Sequence, residues 1–120
     1  MIDYKNITNQ RQFKAATGKS RQEFELLSQD LVAYYCEEYG RTYEEYIEEE
    51  VYETPKLKHL EEALFFVLFQ MKNDMTWDSL GAVFKMSGGA AHTNFKTFSG
   101  LLEDMLEKKN DAQKRVQGCS

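Results

Sequence analysis

The residues of this chain best able to do chemistry are two histidines, two cysteines and a dense run of carboxylates, and their spacing decides what is open to them. Cys36 and Cys119 stand far apart, without the short spacing of a metal or redox pair, so both read as free thiols. His59 and His92 stand singly, and neither is set beside a nucleophile or a second metal ligand. The carboxylates between Glu44 and Glu53 could be read as a metal or catalytic cluster. They lack a paired histidine and a glycine-rich phosphate loop, and helical spacing makes them a solvated face. The expectation is no enzyme: no catalytic residue, no metal ligand, no cofactor and no small-molecule substrate.

Any functional side chain must therefore be positioned by an ordinary globular frame. A chain of 120 residues holds one domain, and 42% hydrophobic and 13% aromatic residues suffice for its core. No apolar run approaches the roughly 18 residues of a membrane span, and the opening residues carry no signal-peptide stretch, which predicts a cytoplasmic protein without membrane association. The net charge of −5 opposes nonspecific binding to phosphate, but the charge is unevenly spread. Residues 37–53 hold eight acidic groups against one basic, whereas residues 108–120 hold four basic against one acidic.

Ser20-Arg21-Gln22-Glu23 is a capping box and predicts a helix from Arg21. Phe24, Leu27, Leu31, Tyr34 and Tyr35 supply its apolar stripe, and Gly40 ends it after Tyr39. A shorter helix is expected around Asn9 to Thr17, before the turn Thr17-Gly18-Lys19, and another between Thr42 and Glu53, stopped by Pro55 acting on Thr54. Leu57 to Asn73 predicts the central helix. Leu57, Leu60, Leu64, Val67, Leu68 and Met71 form one stripe there, and Phe65, Phe66 and Phe69 a second. Thr76 then caps a short helix with Trp77, Leu80, Val83 and Phe84 turned inward, ending near Lys85. Ser87 caps a third helix, in which Ala91, Phe95, Phe98, Leu102 and Met105 hold the apolar face to about Lys108.

The expected fold class is all-α: a small helical domain of about five helices, residues 1–107, with a helix-turn-helix near the C-terminal half. A flexible basic tail is expected over residues 108–120, where Lys108, Lys109, Lys114 and Arg115 would solubilise the chain or touch phosphate.

Short helix pairs are frequent in all-α proteins, so the pattern alone names no ligand. The residues go further. Leu64-Phe65-Phe66-Val67-Leu68-Phe69-Gln70-Met71-Lys72, Met75-Thr76-Trp77-Asp78-Ser79-Leu80-Gly81-Ala82-Val83-Phe84 and Met86-Ser87 resemble the core helix, first motif helix and turn of the helix-turn-helix region that opens DDE-superfamily insertion-sequence transposases. Phe13 to Phe24 is similar to that family's opening segment, so the resemblance covers roughly Asn6 to Glu107. It implies recognition of double-stranded DNA at the ends of a mobile element. In that family a following RNase H-like domain carries three metal-binding carboxylates. Here about a dozen residues follow the third helix, so no such carboxylates carry over and transposase activity is expected to be absent.

Three departures from the family pattern have physical meaning. Gly88-Gly89-Ala90-Ala91 opens the recognition helix where the family presents polar or basic side chains, which weakens direct base readout. The acidic Glu44 to Glu53 stretch stands where the family has a basic, glycine-rich connection. Lys85 occupies a turn position that is often glycine, at a cost if φ is positive there. On helical spacing Gly89, His92, Thr93, Lys96 and Thr97 fall opposite Ala91, Phe95 and Phe98. With Ser87 they are the expected DNA-contacting residues: His92 and Thr93 for base edges, Lys96 for a phosphate, the glycines for close backbone approach. Two function classes stay open. One is DNA binding by a free-standing transposase-derived domain. The other is a protein-interaction or dimerisation module on the same scaffold, towards which the acidic charge points. A homodimer fits either.

Overall fold

A computed structural model describes residues 4–51 and 55–118, with side chains of the last helix described through Asp111. Cys119, Glu53, Thr54 and the side chains of Lys114 and Arg115 lie outside the described residues. A 3-10 turn, Tyr4–Asn6, precedes six α-helices: α1 Gln10–Thr17, α2 Arg21–Tyr39, α3 Tyr43–Glu50, α4 Leu60–Asn73, α5 Trp77–Phe84 and α6 Gly88–Gly118. The described residues contain no strand, and the protein is a small all-α domain. No helix among them is long and apolar enough to cross a membrane.

Local chemistry sets most helix starts. The Asn9 side chain accepts from the Gln12 amide, and Ser20 with Glu23 and Thr42 with Glu45 each close a reciprocal capping box. Thr76 accepts from the Ser79 amide at 3.2 Å and Ser87 from the Ala90 amide at 3.0 Å. Each cap satisfies an orphan helix donor and contributes about 1 kcal/mol. Gly18 and Gly40, both at φ 74°, turn the chain out of α1 and α2 in the left-handed region where glycine carries no Cβ penalty.

Helix α4 is the axle. Six consecutive residues, Ala63 to Leu68, are buried, which requires cover on every side of the helix. α1, α2 and α6 pack against it, and α5 contributes Phe84. Phe84 meets Phe66 edge-on at 4.9 Å and Phe69 at 5.5 Å, while Phe13 and Phe24 meet edge-on at 5.4 Å beside Phe65. Such tilted ring pairs add about 1 kcal/mol each to the burial itself.

The structure departs from the sequence expectations at three places, each with a cause. α4 starts at Leu60 rather than Leu57. Leu57 is buried all the same, in the approach to the helix, where its carbonyl accepts the Tyr43 hydroxyl at 3.1 Å. Met71 belongs to the predicted inward stripe but is 62% exposed, because the stripe outruns the helices that cover it. α6 continues to Gly118 instead of ending near Lys108. Neither proline nor glycine interrupts it between Leu101 and Gln117, and Lys108 and Lys109 are held by α2, the former by Glu38 at 3.2 Å and the latter by Asp30 at 2.8 Å.

Candidate nucleic-acid interface

α5 and α6 form the helix-turn-helix, and two glycines set how closely they approach. A methyl group at Gly81 would run into the Met86 carbonyl oxygen and the Ser87 backbone. One at Gly88 would run into the carboxylate of Asp78, at the start of α5. Gly88 is thus a packing residue, a role that the sequence hides because the neighbour it must accommodate comes from another helix. The Met86 amide donates to the Gly81 carbonyl at 2.8 Å and closes the turn. Lys85 does adopt positive φ, 57°, at the position where glycine is usual, and an L-residue in that region costs about 1 kcal/mol.

The turn delivers the N-terminal half of α6 to the surface. Ala91 and Phe98 are buried and Phe95 half-buried, while Gly89, His92, Thr93, Lys96 and Thr97 are all exposed, as is the capping Ser87. The five residues expected from spacing therefore share one accessible face, with Ser87 exposed at its start. Its two margins differ. On one, the His92 ring lies 4.7 Å from that of Trp77, which also meets Phe95 at 5.6 Å, so α5 supports the imidazole from the side. On the other, Thr97 borders a groove of about 670 Å3 whose far wall is α3.

Charge is partitioned along this surface. Residues 79–102 contain Lys85 and Lys96 and no acidic residue, in a chain that carries 20. Carboxylates resume on the exposed side of α6 with Glu103, Asp104 and Glu107. Among the described side chains that follow, the basic ones are engaged within the fold: Lys108 with Glu37 and Glu38, Lys109 with Asp30. Hydrogen bonding to Glu38 raises the Lys108 ammonium above its ordinary value, so it stays charged. Ahead of α3, Arg41 binds Glu49 at 2.6 Å and Glu50 at 2.9 Å.

One carboxylate of the acidic run does meet a histidine, which sequence spacing alone does not reveal. Glu44 Oε1 lies 2.8 Å from His59 Nδ1, and with Glu61 these side chains offer ligand atoms within 4.8 Å of one another. Burial pushes the Glu44 carboxyl up, but the His59 hydrogen bond and a backbone amide outweigh it and leave the group below its usual value. The cluster is open to water, and it sits at the start of α4, whose positive dipole end opposes a cation. A surface hydrogen bond linking α3 to the start of α4 accounts for it.

Comparison with protein-family models, with curated proteins and with solved structures finds no match for this chain.

Proposed function

We propose that this chain is a DNA-binding helix-turn-helix protein that places the N-terminal half of α6 in the major groove, in the manner of a transposase end-recognition domain, with no catalysis of its own. The observation that carries this reading is the coincidence of an exposed helix face with the acid-free stretch of residues 79–102. Repulsion by the chain's excess carboxylates falls off over roughly 8 Å at physiological ionic strength, so local charge matters more than the total. Lys96 and Lys85 would meet phosphates, and His92 and Thr93 would reach base edges. A Cβ at Gly89 would meet little but its neighbour's hydroxyl at 4.0 Å, so the fold does not demand glycine there, whereas close backbone approach to DNA does. The reading places the protein in the cytoplasm with double-stranded DNA as partner, and a homodimer would set two such helices on successive half-sites.

The test is a fluorescence-anisotropy titration against a pool of duplexes that includes the ends of neighbouring mobile elements, at two salt concentrations. Saturable, salt-sensitive binding that prefers one sequence is expected. Lys96→Glu should weaken it, and removing that phosphate contact should lower the salt slope by about one unit. An absence of binding at low salt sinks the reading. A second reading, a protein-interaction module, is favoured by one specific feature, the tyrosine-lined and acid-rimmed groove beside α6.

A further inference from the structure

The groove between α2, α3 and α6 is lined by Tyr35, Tyr39, Tyr43 and Tyr46, with Gly100 and Asp104 contributed by α6. Its size falls in the range of sites that seat a ligand or a side chain with its stem. Three features of this groove point to the same occupant. First, its tyrosines pack on one another and still leave surface uncovered: Tyr35 lies 4.7 Å from Tyr39 and 5.7 Å from Tyr43, yet Tyr39 is 54% exposed. Second, the groove already holds a guanidinium of its own. Arg41 lies 5.2 Å from the centre of the Tyr46 ring while its nitrogens bind Glu49 and Glu50. A planar cation on a tyrosine face, paired with carboxylates, is the chemistry that this site stabilises. Third, negative charge remains after that pairing. Asp104 lines the groove, Glu48 stands with Glu49 and Glu50 in an adjoining hollow that shares Val51 with it, and Arg41 is the one cationic lining residue of the groove among the described residues.

Gly100 adds an independent sign. It sits inside a helix, where glycine costs about 1 kcal/mol relative to alanine, and a Cβ placed on it would meet nothing within 4 Å. Packing within the fold does not call for glycine there. A groove kept clear for another chain does.

We infer that this groove binds an arginine-bearing peptide segment of a partner protein, with a guanidinium seated on the uncovered tyrosine rings and paired with the bordering carboxylates. The same carboxylates would repel a DNA strand, so the site, which adjoins the α6 face at Thr97, takes a different partner and goes beyond the DNA-binding reading.

The experiment uses the full chain and no DNA. A short fluorescein-labelled peptide of alternating Arg and Leu is titrated by anisotropy, beside one in which each Arg is replaced by Glu. The Arg peptide should bind saturably, more weakly as salt rises, and the Glu peptide at least about tenfold more weakly. Gly100→Leu, which fills the groove from an open helical position, should reduce binding by about tenfold or more with helicity unchanged by circular dichroism. Asp104→Asn should reduce it by a smaller factor, and Glu103→Gln, which does not line the groove, should leave it unchanged. Equal binding of the Arg peptide to wild type and to Gly100→Leu overturns the proposal, as does equal binding of the two peptides.

Discussion

The two flanks of α6 follow different rules. Towards α5, Gly81 and Gly88 bring backbone against backbone and carboxylate, the turn is closed by a 2.8 Å hydrogen bond, and no acidic residue occurs from 79 to 102. Towards α3, tyrosines and carboxylates border open space, and Gly100 has no neighbour to accommodate. One flank is filled to contact; the other is left with surface to cover. The difference teaches that the net charge of −5 describes neither surface. It also shows that glycine in one helical hairpin has two opposite meanings, which only the surroundings of its missing side chain can separate.

Substitution at those glycines should break the comparison most visibly. Gly81→Ala should destabilise the protein by roughly 2–3 kcal/mol in urea denaturation, because the obstructing atoms are backbone and cannot swing away. Gly100→Ala should instead stabilise it by about 0.5–1 kcal/mol, through helix propensity alone. Similar losses at both positions would abolish the distinction between the flanks.

A smaller effect is expected at Tyr43, where the groove meets the core. Burial pushes its hydroxyl up to about 12 from the ordinary value of 10.0, and neighbouring tyrosines push it the same way. The folded state thus keeps a proton that the unfolded chain releases. The contribution is complete below pH 10 and is lost as pH rises towards 12, by roughly 2 kcal/mol in all. Tyr43→Phe should cost about 1 kcal/mol at neutral pH through its lost hydrogen bond to Leu57, and should flatten that alkaline decline. A variant that loses stability at high pH as steeply as wild type would place the titrating group elsewhere.

The smallest effect should come from Glu44. Its carboxyl is held below the ordinary value of 4.5, so its contribution is present above that pH and disappears as pH falls through the folded value. The pair with His59 is exposed, and Glu44→Gln should change stability at pH 7 by at most about 0.5 kcal/mol, with a shallower acid limb in chemical denaturation. A cost above about 1.5 kcal/mol would mean that the contact secures α3 to α4 far more firmly than an exposed pair does.

Where the determinants are local, the sequence reads well. The Ser20 box and Gly40 bound α2 at Arg21 and Tyr39, Thr76 starts α5, and spacing alone puts Gly89, His92, Thr93, Lys96 and Thr97 on one exposed face. What escapes a sequence reading is set by distant partners. Lys108 and Lys109 look like a loose basic tail until their carboxylates arrive from α2, 70 and 79 residues away. Leu57 carries the burial of a helical stripe without the helix, because the Tyr43 hydroxyl takes its carbonyl. The groove needs three helices at once, and four tyrosines scattered over α2 and α3 give no hint that they share it.

The length of α6 has a mechanical consequence. Its 31 residues span about 46 Å, close to the longest dimension of the molecule, 50 Å. Its accessible tip lies at one end, seated on α5 by the buried Ala91 and by Gly88 against Asp78, and the ion pairs to α2 lie some 20 residues further along, about 30 Å away. Between the two, Phe98, Leu101, Leu102 and Met105 are buried in the core, so α6 is a rod clamped along its length and presents its tip at an angle set by the packing behind it.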